Sequence, residues 1–287
     1  MKHIIYVEEV PDPMSVWQYV KNTTDVESLA NSLIPETDPS DLINLDHSFN
    51  IEELSKITLD ALDRFGFHGW RYSEGQGQDY GGLSLSYNPD YQDDCDPNQQ
   101  TLGTPINNAN EFFFGQVQKF KSVRNSYFDT YGFRKHAPCV AETGLKDFLD
   151  SFKSSAVRGR LAVINAQYVP ASHRPNFGWH KDEPVWENLR VNIPIKTDET
   201  FMFQLLGKRP EHLAYGNMYT WDTNLAHRVF PATEEVRSRV HLVLGFSPWF
   251  DYDEEKDAWI SNEFYGKMHP IDMLVNGHVH DKIKGIK

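Results

Sequence analysis

The chain is poor in cysteine, with Cys95 and Cys139 alone in 287 residues and no CxxC pair between them. So few thiols provide neither a disulfide framework nor the ligands of a closed structural zinc site. No apolar run approaches the roughly 20 residues that a membrane-spanning helix needs, so no membrane partner is expected. The start Met1-Lys2-His3 leads into mixed polar sequence rather than a signal peptide, and we expect a cytoplasmic protein.

Positive charge is also scarce, because 28 Lys and Arg face 41 Asp and Glu and give a formal net charge of -13. Nucleic-acid binding needs a basic footprint, so we expect no nucleic-acid partner. A small dianionic ligand would be repelled by the overall field, and arginines placed inside its pocket would have to reverse that field locally. The composition leaves the oligomeric state open.

The length and the 39% hydrophobic content are sufficient for one large domain spanning residues 1–287. We predict a β-structured core in 156–250, in which alternating apolar segments are concentrated. Residues 1–155 should supply N-terminal helices and a long loop that pack on this core, and 251–287 should form a C-terminal extension.

Two helices and one loop are predicted within the N-terminal part. Asn50 followed by Glu53 is typical of a capping box, and apolar residues then repeat at helical spacing up to Gly66. A second amphipathic helix is predicted over 145–152. Residues 73–110, rich in Gly, Asn, Asp, Gln and Pro, are predicted to form an ordered loop near the mouth of the active site.

The first chemical motif is the HxD sequence in Gly178-Trp179-His180-Lys181-Asp182. His180 and Asp182 are two residues apart, so on a strand both side chains leave the same face and can close on one ion. Imidazole and carboxylate suit a borderline divalent metal, and a facial triad of two histidines and one carboxylate leaves positions open for a bidentate cosubstrate and O2.

The second motif runs from Asp222 to His227, with Arg237 and Arg239 behind it on an alternating apolar segment. Another alternating segment, 189–195, carries Arg190 and Asn192 on its polar face. An arginine that points into a barrel interior needs a buried anion, because an unpaired charge there is costly. A planar guanidinium clamps a carboxylate with two hydrogen bonds, which fits one end of 2-oxoglutarate.

From about Leu161 to Phe250 the sequence resembles the aspartyl/asparaginyl β-hydroxylase branch of the Fe(II)- and 2-oxoglutarate-dependent dioxygenases, which also holds bacterial proline hydroxylases. In that branch a proximal histidine precedes a strand bearing an arginine. An aspartate, four residues and a histidine follow, and then an arginine opens the last core strand. The corresponding residues here are His180, Arg190, Asp222 with His227, and Arg239.

This resemblance implies a mainly β fold with flanking helices, built around a double-stranded β-helix of the jelly-roll, cupin-like kind. It also implies a catalytic centre in which Fe(II) is held by His180, Asp182 and His227. The enzyme would consume 2-oxoglutarate and O2, release succinate and CO2, and hydroxylate an unassigned amino acid, peptide side chain or small metabolite.

The same resemblance suggests that Arg239 binds one carboxylate of 2-oxoglutarate and that Arg190, together with Asn192, supports the other. Arg237 is the alternative to Arg239, because it follows His227 by ten residues rather than twelve and lies on the same strand face. A cupin-type metal enzyme that does not use 2-oxoglutarate and a non-catalytic β-barrel binding module are the other two interpretations.

Further residues near these motifs are candidates for the substrate pocket or for support of the metal ligands. Asp222 could orient His227, as carboxylates do for metal-bound imidazoles, or it could cap the turn before it. The other candidates could line the pocket or belong to the barrel core. They are Trp179, Trp186, Trp221 and Gln167.

Overall fold

The structure is a computed structural model. It describes residues 4–6, 26–69, 80–89, 96–102, 129–164, 177–233 and 238–279, and for 4–6, 129, 177–178 and 180 it describes the main chain only. No helix in these ranges is long and apolar enough to cross a membrane.

The helices in the described ranges are mostly short. They are α1 Val26–Ser32, α2 Ile51–Phe65, α3 Asp129–Gly132, α4 Pro138–Ala141, α5 Leu145–Asp150 and α6 Pro270–Val275.

Helix α2 has the predicted bounds. The Asn50 side chain accepts hydrogen bonds from the main-chain N–H groups of Glu52 and Glu53, and the chain leaves the helix at Gly66 with φ +79°. Helix α5 ends two residues before the predicted limit, because the Phe152 amide bonds to Leu149 in a tighter turn.

A seven-stranded antiparallel sheet dominates the β-structure, with the strand order β2-β11-β9-β13-β7-β4-β3. A smaller sheet has the order β10-β12-β8. The strands of these two sheets are β2 Ile43–Leu45, β3 His68–Gly69, β4 Tyr80–Ser84, β7 Arg160–Ile164, β8 Phe177–His180, β9 Leu189–Lys196, β10 Phe201–Leu205, β11 Met218–Thr220, β12 His227–Pro231 and β13 Arg239–Phe246.

Successive core strands alternate between the two sheets. Strands β7, β9, β11 and β13 belong to the large sheet, and β8, β10 and β12 belong to the small one. A bridge between Phe203 and Glu211 adds one more segment to the small sheet. This alternation is the topology of a double-stranded β-helix, so the predicted fold class is confirmed.

The two faces of the large sheet differ in chemistry. One face carries Leu161, Ile193 and Leu242, which are fully buried in the main hydrophobic core. On the opposite face, the register of β9 and β13 aligns Arg190 with Gly245 and Asn192 with Val243. Directly opposed residues of an antiparallel pair point to the same side, so the polar residues of β9 face the small sheet.

Outside the core, the chain adds strands at its edges. Strands β1 Ile4–Tyr6, β14 Phe250–Asp253 and β15 Ala258–Ser261 form a three-stranded sheet, and β5 Ser86–Tyr87 pairs with β6 Lys135–His136.

Part of the predicted loop 73–110 is therefore strand, because β4 pairs with β7 in the large sheet. Gly81 and Gly82 lie within this segment, in β4. In the fold these glycines allow close approach, since a Cβ on Gly82 would lie 1.8 Å from the main-chain oxygen of Leu161.

Candidate metal centre

Two loops at one end of the barrel carry the described members of the predicted triad. Asp182 lies in the connection from β8 to β9, and His227 ends the connection from β11 and begins β12. The Asp182 amide donates to the Thr223 carbonyl at 2.9 Å, and the Thr223 hydroxyl donates to the Glu183 carbonyl at 2.5 Å. These hydrogen bonds join the two loops directly beside the ligands.

His227 is held in one orientation and one tautomer. Its Nδ1 lies 2.9 Å from the Leu225 carbonyl oxygen, which can only accept, so Nδ1 carries a proton and Nε2 is turned away from that carbonyl. That Nε2 lies 3.4 Å from Oδ2 of Asp182. Two atoms at this distance are close enough to bind one cation together.

The spacing of these two atoms fits one metal ion. Two ligands bound at about 2.1 Å are roughly 3.0 Å apart at a right angle and roughly 3.4 Å apart at a tetrahedral angle. In the strand register His180 lies directly opposite His227, and Cα atoms of opposed residues are about 4.5 to 5.5 Å apart. The side chain of His180 lies outside the described part of the chain.

No cluster of three or more His, Cys, Asp or Glu side chains suited to a metal occurs among the residues that the structure describes. The complete triad of His180, Asp182 and His227 therefore stays a prediction. The two members whose side chains are described are adjacent.

A chain of ion pairs extends from Asp182 away from His227. Arg190 donates through Nη1 to Asp182 and through Nη2 to Glu183. Glu183 also accepts from Nη1 of Arg158 at 2.6 Å. The side chain of Arg190 is only 4% exposed, so these carboxylates supply its compensation for burial.

The charges in this chain shift one another's pKa values. Burial raises the pKa of the Glu183 carboxyl, but the guanidinium groups of Arg190 and Arg158 outweigh burial and lower it overall. Burial lowers the pKa of Arg190, and Asp182 and Glu183 reverse that effect and raise it. Glu183 and Arg190 are therefore both charged at neutral pH.

Arg239 begins β13 and belongs to the polar face of the large sheet. Among the described residues no carboxylate pairs with it, and burial lowers its pKa to about 10. Its guanidinium lies 2.8 Å from both ring nitrogens of His241. Burial, followed by the charge of Arg239, lowers the pKa of His241 well below its usual value, so the ring is neutral and only one of its nitrogens can accept.

Asp222 contacts its own turn rather than the imidazole of His227. Its Oδ1 accepts the Asn224 amide at 2.9 Å, and burial raises its pKa. His227 uses its Nδ1 for the Leu225 carbonyl instead. Of the two roles predicted for Asp222, these contacts fit capping of the turn.

The three tryptophans occupy different environments. Trp221 is buried, with its ring centre 5.5 Å from that of His227. Trp179 is 42% exposed and lies under the guanidinium of Arg228, 4.6 Å from the ring centre. Trp186 belongs to the main hydrophobic core. Trp221 is therefore the tryptophan whose ring packs against a described member of the triad.

The remaining predicted residues are Asn192, Gln167 and Arg237. Asn192 is buried on β9, opposite Tyr219 of β11, while Gln167 and Arg237 lie outside the described residues. The roles assigned to all three stay predictions.

Sequence reasoning did not identify Glu183, Arg158 or His241 as parts of the site. Glu183 follows Asp182 directly, and a carboxylate doublet after an HxD histidine is a signal that could have found it. His241 shares a strand face with Arg239 by alternation. Arg158 gives no local signal, because its partner is 25 residues away.

Comparison with known proteins gives little support for any particular function. No protein-family model matches the chain, and no curated protein matches it. A solved structure of an oxidoreductase of the 2OG-Fe(II) oxygenase family from Burkholderia pseudomallei is similar at a TM-score of 0.36 and 15% identity, covering 77% of this chain and 89% of that one. A likeness this distant carries no argument about function.

Proposed function

We propose that the protein is an Fe(II)- and 2-oxoglutarate-dependent dioxygenase that hydroxylates a small-molecule, amino-acid or peptide substrate. The observation that carries the proposal is the 3.4 Å approach of His227 Nε2 to Asp182 Oδ2 at the mouth of a double-stranded β-helix. His180 is the third proposed ligand, because its main chain lies opposite that of His227.

These ligands fit an Fe(II) centre with open coordination positions better than a structural metal site whose positions are all filled by protein ligands. Imidazole and carboxylate suit Fe(II), and a triad of this kind leaves positions for other ligands. Arg239 is the proposed partner of the distal carboxylate of 2-oxoglutarate, since its buried charge has no carboxylate within the described ranges. Arg237 remains the alternative for this role.

The bound Fe(II), 2-oxoglutarate and O2 would supply the oxidising chemistry, with succinate and CO2 as products. The chain supplies position and environment. The Leu225 carbonyl orients the imidazole of His227 through Nδ1, and the loops joined through Thr223 hold Asp182 beside it. The buried rings of Phe203 and Trp221 pack against His227 and exclude water from that side.

Anaerobic titration with Fe(II) and 2-oxoglutarate tests the proposal. We expect a visible charge-transfer band that needs both components, and succinate release on admission of O2. His180→Ala and His227→Ala should abolish both signals. His278→Ala is the matched control, because His278 stacks on Phe264 in the C-terminal part, and it should leave both signals unchanged.

Two outcomes would replace the proposal. Tight Fe(II) binding without the band and without loss of 2-oxoglutarate would indicate the cupin-type metal enzyme. Absence of metal binding in the wild type would indicate the non-catalytic module. If the band forms, stimulation of succinate release by individual amino acids, peptides and metabolites identifies the substrate class.

A further inference from the structure

We propose that Glu183 and Arg158 are positioning residues for the metal ligand Asp182 and that they act through Arg190. This inference rests on the proposed function, because it takes Asp182 to be a metal ligand. It also gives Arg190 a different role from the one the sequence suggested, namely holding Asp182 rather than the second carboxylate of 2-oxoglutarate.

The geometry is a chain of three ion pairs between four side chains. Nη1 of Arg158 binds Oε1 of Glu183, and Oε2 of the same carboxylate binds Nη2 of Arg190. Nη1 of Arg190 then binds Oδ2 of Asp182, the oxygen that lies 3.4 Å from His227. The guanidinium of Arg190 and the carboxylate of Glu183 thus each pair with two partners.

The side chains that form this series of ion pairs are largely buried. The side chains of Arg158, Glu183 and Arg190 are 13%, 19% and 4% exposed. Ion pairs at such positions are weakly screened, and removing one partner leaves a poorly compensated charge. Because water screens these charges only weakly, a change at Glu183 or Arg158 alters the electrostatic environment of Asp182.

The balance of charge explains why Glu183 matters to a metal. Two guanidinium groups face two carboxylates, and Arg190 divides its hydrogen bonds between Asp182 and Glu183. Without the charge of Glu183, Asp182 would be the one described carboxylate that pairs with Arg190. The whole of Arg190's attraction would then compete with a cation for the Asp182 oxygens.

Arg158 acts on the same balance from the other end. Without it, Glu183 would interact with Arg190 alone and draw that guanidinium away from Asp182. The carboxylate of Asp182 would lose the contact that fixes its rotamer. Both changes should weaken metal binding, since supporting groups around a metal ligand typically contribute about 10- to 100-fold to metal affinity.

The test is Co(II) binding to the full chain, measured by calorimetry and by the visible d–d spectrum, without 2-oxoglutarate or turnover. We expect Glu183→Gln and Arg158→Met to raise the Co(II) dissociation constant by about 10- to 100-fold and to alter the d–d bands. Arg158→Lys keeps the positive charge and should recover part of the affinity. Glu199→Gln removes an exposed carboxylate and should behave as wild type.

A role confined to folding has a different signature. It would lower the denaturation midpoint of the metal-free protein but leave the Co(II) dissociation constant and spectrum unchanged at a temperature where each variant is folded. That result would overturn the proposal. Unfolding curves of the metal-free variants are therefore measured beside the titrations, and the double variant Arg158→Met/Glu183→Gln should show non-additive losses of affinity.

The outcome separates this inference from the proposed function. If the wild type and Asp182→Asn both fail to bind Co(II), the metal centre itself is refuted, and this inference is refuted with it. If the wild type binds Co(II) and Asp182→Asn does not, while Glu183→Gln binds like the wild type, only the positioning role is refuted.

Discussion

Replacement of Arg239 by methionine should weaken the binding of 2-oxoglutarate and at the same time leave the free protein as stable as before or more stable. Methionine keeps most of the side-chain volume and removes the charge. The two effects have opposite signs although both come from the loss of the same charge. A buried guanidinium without a carboxylate is costly in the free protein and valuable to a bound carboxylate.

The magnitudes follow from the pKa and from the contacts of Arg239. Burial lowers its pKa to about 10, and since a tenfold change in proton affinity corresponds to about 1.4 kcal/mol, the charge costs the free protein at most about 3 kcal/mol. Loss of the hydrogen bond to His241 offsets about 1 kcal/mol of the relief. We expect the free energy of unfolding to be unchanged or up to about 2 kcal/mol higher.

The free energy of 2-oxoglutarate binding should change by more than the free energy of unfolding. Removing one partner of a buried charged pair costs about 2 to 5 kcal/mol, which corresponds to a loss of affinity between about 30-fold and several thousand-fold. Urea denaturation with and without 2-oxoglutarate, in the presence of Co(II), measures both quantities. A ligand at 100 times its dissociation constant raises the free energy of unfolding by about 2.7 kcal/mol, and at the same ligand concentration this rise should fall below about 1 kcal/mol in the variant.

The control is Arg209→Met, which removes an exposed arginine and should retain the stabilisation by 2-oxoglutarate. If Arg239→Met bound 2-oxoglutarate as tightly as the wild type, the assignment of Arg239 would be wrong, and Arg237 would be tested in the same way.

Three further predictions concern the rest of the fold. Asp257→Asn should lower the free energy of unfolding by about 1 to 2 kcal/mol, because Asp257 pairs with the buried guanidinium of Arg134, whereas Asp253→Asn at an exposed pair should change it little. Hydrogen bonding to Arg134 lowers the pKa of Asp257. The stabilisation by this pair is therefore complete above the unfolded-state pKa of about 4 and lost as the pH falls through the lower folded-state value, so the urea midpoints of wild type and variant should converge in acid. Burial raises the pKa of Cys139 to about 12, so its peptide should be alkylated by iodoacetamide at pH 8 only after unfolding, and rapid labelling of the native protein would contradict this. Leu242→Ala, in the fully buried centre of β13, should cost about 2 to 5 kcal/mol in urea unfolding, and a loss below about 1 kcal/mol would be inconsistent with a packed core there.

Local signals predicted several elements, and α2 with its correct limits. The cap at Asn50 and the glycine at position 66 determine the ends of α2, because both act through the main chain of their own neighbours. Alternation of apolar residues predicted β9 and β13 and placed Arg190 and Asn192 on one face, as the strand register confirms.

Close approach between strands was not visible in the sequence. Gly81 and Gly82 lie in the predicted loop 73–110, yet they form part of β4, where their lack of a side chain admits the main chain of neighbouring strands. The type of a residue limits the backbone conformations that it can adopt. Pairing with a neighbouring strand decides which of these conformations it adopts.

By itself, the sequence predicted core strands and the pair of motifs that bear the proposed metal ligands, since strand periodicity and HxD spacing are properties of consecutive residues. The double-stranded β-helix was implied by the family resemblance of these motifs. The tertiary structure decided which groups meet. It brings His227 to 3.4 Å from Asp182 across two loops and connects Asp182 through Arg190 and Glu183 to Arg158. These contacts join residues of different strands and loops, and only the packing of the barrel sets the distance between them.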